Sequence, residues 1–147
     1  MTPTGQKEAV NSDYTFTALT NTDPEFYPTL GPYLANRAVT KQLGDTPHDD
    51  PGKTWIVAHH HNTVAGFIVH FVKRDGTVHT ESCYVAPDHD DLRPQLVQAV
   101  IDAVDEDTTI TAVAHEEYVY HYTDLGFIEI PSRYKNFRKL SRPPTRQ

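Results

Sequence analysis

The chain has 147 residues, of which 37% are hydrophobic and 10% aromatic. This size and composition suit one packed domain and exclude a disordered one. A formal charge of -7 argues against nucleic acid as a whole-surface partner, and the single cysteine, Cys83, excludes an intrachain disulfide and a cysteine-built zinc site.

Met1 to Ser12 and Ser141 to Gln147 read as tails around one domain at 13–140. The opening segment lacks an apolar signal core, and no apolar run is long enough to cross a bilayer. Tyr14 to Leu19 alternates as a strand does. Asp23 and Pro24 then read as the cap and first position of a helix that Pro28 and Pro32 make uneven or divide in two, ending near Gly44. After a proline- and aspartate-rich loop come strands over Thr54 to His59 and Val64 to Lys73, joined through His60-His61-Asn62, with a third strand over Val78 to Val85 beyond the Asp75-Gly76 turn. Helical spacing marks Leu92 to Val104, and β-branched residues mark a strand over Thr109 to Ala114. A last helix over Glu116 to Leu125 stops at Gly126, and Phe127 to Ile130 and Tyr134 to Leu140 complete the strands. The order β, α, three antiparallel strands, α, β, α, β, β predicts an α/β domain with a central, mostly antiparallel mixed sheet flanked by helices.

Three local patterns sit in this order. Trp55-Ile-Val-Ala58 is followed by Val64-Ala-Gly-Phe67, Val85-Ala-Pro87 closes the third strand of the meander, and Tyr122-Thr-Asp-Leu-Gly-Phe127 closes the last helix. Together they resemble the GNAT N-acetyltransferase superfamily over Tyr14 to Leu140. The resemblance implies acetyl-CoA as cofactor, an amine-bearing acceptor, and direct attack of the amine on the thioester. Such a reaction needs a base for the incoming ammonium and an acid for the leaving thiolate. By position, Tyr122 is the implied acid, or an aromatic that packs the helix on the sheet. Glu81 and His79 are candidate bases, placed by period-2 geometry on one face with Cys83 and Val85. Val85, Arg93, Gln95 and His115 are the implied cofactor-contacting positions, although His115 is equally placed to cap the helix at Glu116.

Members of that superfamily seat the cofactor pyrophosphate on the main chain of a glycine-containing loop at a helix start, where unpaired N–H groups and the positive dipole end meet the anion. The corresponding segment here, Asp88-His89-Asp90-Asp91-Leu92-Arg93-Pro94-Gln95, has no glycine, is about two residues shorter, and brings three carboxylates. An aspartate there is expected to cap the helix, Pro94 removes a donor, and Arg93 is the one group able to pair with phosphate.

The run His59-His60-His61 sends neighbouring side chains to opposite strand faces, so no metal site is expected there. From Arg133 onward the chain carries six basic residues and no acid, which reads as a solvated edge strand and tail or as a docking tail for an acidic partner, such as an assembly protein, or a polyanion. Two functions follow. One is an acetyl-CoA-dependent N-acetyltransferase in the cytoplasm. The other is an inactive GNAT-like domain serving as a binding or structural component of a larger assembly, such as a virus particle.

Overall fold

The computed structural model describes residues 13–145. In chain order it contains β1 (Tyr14–Leu19), α1 (Phe26–Leu34), α2 (Arg37–Leu43), β2 (Thr54–His60), β3 (Thr63–Val72), β4 (Val78–Val85), α3 (Leu92–Ala103), β5 (Ile110–His115), a 3-10 turn (Glu116–Tyr118), α4 (Val119–Thr123), β6 (Ile128–Ile130) and β7 (Phe137–Arg142). The strands form a single seven-stranded sheet in the order β1-β2-β3-β4-β5-β7-β6, antiparallel at every junction except β4–β5. The mixed α/β architecture expected from the sequence is the one observed.

Local chemistry accounts for the connections. His61 and Asn62 both have positive φ (50° and 69°), as a two-residue type I′ hairpin requires. The β2–β3 turn is therefore two residues tighter than expected, with His60 and Thr63 both in the strands. In the β3–β4 turn, Gly76 has φ 90°, and the Asp75 carboxylate accepts the Thr77 N–H at 3.0 Å and its hydroxyl at 2.7 Å. These two bonds hold the Asp75 carboxyl below the usual aspartate range.

Each sheet face buries its own apolar cluster. On one face Ile56, Ala58, Ile68, Cys83 and Val85 pack with Leu92, Leu96, Val97 and Val100 of α3. On the other, Trp55, Val57, Phe67, Val69 and Tyr84 meet Phe26, Leu30 and Val39 of α1 and α2. Gly66 makes the first contact possible. A Cβ there would stand 2.5 Å from the Tyr84 carbonyl oxygen and 2.9 Å from Leu92 Cδ2, so a side chain would first clash with the main chain of β4 and then crowd α3.

Several helix boundaries differ from expectation. Asp23 does not cap α1: its carboxylate takes the Thr20 N–H at 2.8 Å, and the helix begins at Phe26 behind an uncapped Glu25. The division into two helices is real but falls at Ala35–Asn36, where the Asn36 side chain accepts the Val39 N–H and caps α2. The helix after β5 is shorter than expected, a 3-10 turn leading into five α-helical residues. At the end of the sheet, β7 runs on to Arg142.

Candidate functional site

β4 and β5 bond to each other over only three residue pairs, Val78↔Ile110, His79↔Thr111 and Thr80↔Ala112. Beyond Thr80 a cleft opens between them, lined by Gln42, Ser82, Cys83, Arg93, Val113, Ala114, His115, Tyr118 and Tyr122 among others. Beside this divergence β4 bulges. Phe67 pairs with Tyr84 and Val69 with Glu81, so two residues of β4, Ser82 and Cys83, stand against Ile68 alone. Ser82 takes φ 55° to make this possible.

The bulge corrects the expected face assignment. An extra residue reverses the alternation, so Cys83 and Val85 join the α3-side core, whereas Glu81 pairs with Val69 on the opposite face. His79 and Glu81 are thus separated from Cys83 and Val85 by the sheet, and neither lines the cleft. Glu81 is tied to Lys53 at 2.8 Å. The His79 Nδ1 lies 2.8 Å from the Thr111 hydroxyl. Burial lowers the His79 pKa, partly opposed by Glu81.

Where β5 departs, the edge of β4 loses its main-chain partner, and buried backbone groups must be paired some other way. Side chains supply the pairing. Gln42 of α2 donates from Nε2 to the Val85 carbonyl at 2.9 Å and accepts the Val85 N–H at its Oε1, also at 2.9 Å. Arg93 donates to the Cys83 carbonyl at 3.1 Å and to the same Gln42 oxygen at 3.0 Å. Its guanidinium lies 3.7 Å from the centre of the Tyr118 ring. Arg93 is only 6% exposed, so the one cation of the loop expected to meet phosphate points inward instead. The space remaining in the cleft is about 40 Å3, room for a few water molecules, where pockets for drug-sized ligands hold about 300–1,000 Å3.

Tyr122 is buried against Phe127, with rings 5.4 Å apart and nearly perpendicular, and it lines the cleft beside Cys83 and Arg93. Packing residue and cleft residue are one and the same here. Burial raises its pKa far above that of free tyrosine, so the phenol stays protonated at neutral pH. Cys83 is buried and its thiol is likewise pushed up by burial. His115 accepts the Glu117 N–H at Nδ1 (3.3 Å), capping the 3-10 turn, and also lines the cleft.

The loop before α3 carries Asp88 at φ 73°. Asp91 precedes the helix but makes no side-chain cap, contrary to the expectation that an aspartate would satisfy these N–H groups. Its carboxylate instead accepts the Tyr14 hydroxyl at 3.0 Å, and that hydroxyl lies 2.9 Å from His89 Nδ1. Burial first, then Asp91, push the Tyr14 pKa up to about 12. Gln95 turns back to the Asp91 carbonyl at 3.2 Å. The loop is therefore bound to β1 and to itself. The histidine run contributes ring contacts, with His60 5.1 Å from His89. Among the described residues, no group of three or more His, Cys, Asp or Glu side chains could hold a metal ion, and no helix is long and apolar enough to cross a membrane.

Gln42 was not singled out by the sequence. It sits in an unremarkable helix 43 residues from its partner Val85, and no local pattern marks that pairing.

No family model matches the chain, and no curated protein matches it. Solved structures do. ElaA of Escherichia coli superposes with a TM-score of 0.69 at 13% identity, covering 88% of this chain and 99% of that one. An acyl-CoA N-acyltransferase from Pseudomonas aeruginosa gives 0.65 at 14% identity, over 87% and 99%. The N-acetyltransferase PseH of Campylobacter jejuni gives 0.59 at 13% identity, over 91% and 100%. At these identities the likeness establishes the fold: the chain has the GNAT acyl-CoA N-acyltransferase fold.

Proposed function

We propose that this chain is a GNAT-fold binding or structural module that does not use acetyl-CoA, because its own side chains occupy the β4–β5 cleft and its loop before α3 is altered. The observation that carries this reading is the Gln42–Arg93 clasp on the edge of β4. An extended, amide-bearing ligand adding to this edge of β4 would compete for the Val85 N–H and C=O, and both are already used. Acetyl-CoA does not fit the residues present in two further respects. The space, about 40 Å3, is a small fraction of the about 300–1,000 Å3 of pockets that hold drug-sized ligands, and the loop offers three carboxylates to an anionic pyrophosphate while its arginine is withdrawn.

An assembly partner would be acidic. Arg138 is already paired with Glu116 (3.0 Å) and Glu129 (3.3 Å), and Arg142 donates to the Leu125 carbonyl. Arg133, Lys135 and Lys139 remain exposed on the same segment as a surface for such a partner.

One observation favours the second reading, an N-acetyltransferase: Tyr122 lines the cleft, where an acid for a leaving thiolate would have to stand. That reading requires Gln42 and Arg93 to leave. Thiol release from acetyl-CoA, measured across a panel of primary amines, separates the two. The module reading expects no release above the protein-free rate. Release that falls sharply in Tyr122→Phe would establish the enzyme.

A further inference from the structure

The two edges of the sheet are built differently. At one end β6 has only three residues, including Glu129, and its neighbour β7 carries Arg138, Lys139 and Arg142. Shortness and charge of this kind discourage strand addition. At the other end β1 has six residues, Tyr-Thr-Phe-Thr-Ala-Leu, with no charge, proline or glycine. It pairs with β2 in unbroken register from Tyr14↔His60 to Leu19↔Trp55. Thr15, Phe16, Thr17 and Ala18 are exposed, Phe16 to 39%, and no described strand lies beyond them.

We propose that β1 is a self-association edge, pairing antiparallel with β1 of a second copy to join two seven-stranded sheets. A strand that pairs with itself about a two-fold axis must be self-complementary, and β1 is. An axis perpendicular to the sheet keeps each face on its own side, so opposed residues must come from the same face. Tyr14, Phe16 and Ala18 share one face, and Thr15 and Thr17 the other. A register centred on Phe16 sets Phe16 against its own counterpart, Thr15 against Thr17, and Tyr14 against Ala18. Aromatic–aromatic and Thr–Thr pairs are the cross-strand combinations that stabilise sheets. Two chains of net charge -7 repel overall, and β1, which carries no charge, adds no like-charge contact where they meet. Five residue pairs, Tyr14↔Ala18 through Ala18↔Tyr14, bury less than the roughly 1,200 Å2 at the lower end of stable interfaces, so the dimer forms with rising concentration. The inference does not depend on what occupies the β4–β5 cleft.

Sedimentation velocity on the full chain over micromolar to millimolar concentration tests it. The weight-average mass is expected to rise from 16.6 kDa toward twice that value. Phe16→Lys, which sets two ammonium groups against each other, should hold the monomer mass throughout with an unchanged circular dichroism spectrum. Should that variant misfold, Thr17→Lys on the opposite face serves the same purpose, and Phe16→Tyr should dimerise as the parent does. A parent chain that stays monomeric at millimolar concentration, or a folded lysine variant that dimerises as well as the parent, overturns the proposal.

Discussion

The Gln42 carboxamide bonds to both main-chain groups of Val85, donating to its carbonyl and accepting its N–H, each at 2.9 Å. One strand residue does the same to another in the hydrogen-bonded pairs of an antiparallel ladder. A single side chain from α2 thus stands in for the strand that β4 lacks where β5 turns away.

Gln42→Leu keeps the size of the side chain and removes both bonds to Val85 and the one from Arg93, leaving the Val85 N–H and carbonyl unpaired in a part-buried cleft. A loss of about 1–3 kcal/mol is expected, read from urea unfolding. An unchanged midpoint would mean that β4's edge is held by something else.

Arg93→Lys tests the other half of the clasp. Lysine keeps the charge but has neither the planar fork that reaches Cys83 and Gln42 together nor the flat face that stacks on Tyr118. The substitution should destabilise the fold by about 1–3 kcal/mol. Full stability in the lysine variant would show that only the charge matters.

Ser82 pays for the bulge with a left-handed backbone at φ 55°. Glycine adopts that conformation without the cost of about 1–2 kcal/mol borne by other residues. Ser82→Gly should therefore raise the melting temperature by a few degrees, and Ser82→Val, β-branched, should lower it. The opposite order would argue against the bulge.

Stability should fall on mild acidification. Burial lowers the pKa of His70, and burial also dominates the lowering at His79. The unfolded chain takes up these protons near its ordinary value of about 6.5, whereas the folded chain resists them. The contribution is complete above that pH and is lost as the pH drops below it. Melting temperatures between pH 7.5 and 5 should fall, and the double variant His70→Gln/His79→Gln should fall less steeply. Equal slopes would contradict the assignment.

The fold was largely legible in the sequence because it rests on local signals: alternation in Tyr14 to Leu19, Asp75-Gly76, helical spacing after Leu92, and Gly126 at a helix end. Boundaries failed where a competing hydrogen bond was nearer, as when the Asp23 carboxylate turned back to the Thr20 N–H. The altered Asp88 to Gln95 loop was also plain in the sequence, since missing glycines and added carboxylates need no coordinates to be counted. The bulge was not. Ser82 has no residue-type signature for positive φ, yet it decides which face Cys83 and Val85 occupy. Nor was the clasp, because Gln42 and Arg93 meet β4 only through the tertiary fold.

The most direct test of the closed cleft is calorimetric titration of the full chain with acetyl-CoA, beside Gln42→Ala as a variant that vacates the edge of β4. The account predicts no saturable heat for the parent chain up to millimolar acetyl-CoA. Saturable one-to-one binding by the parent chain at micromolar concentration would contradict it, whatever the variant does.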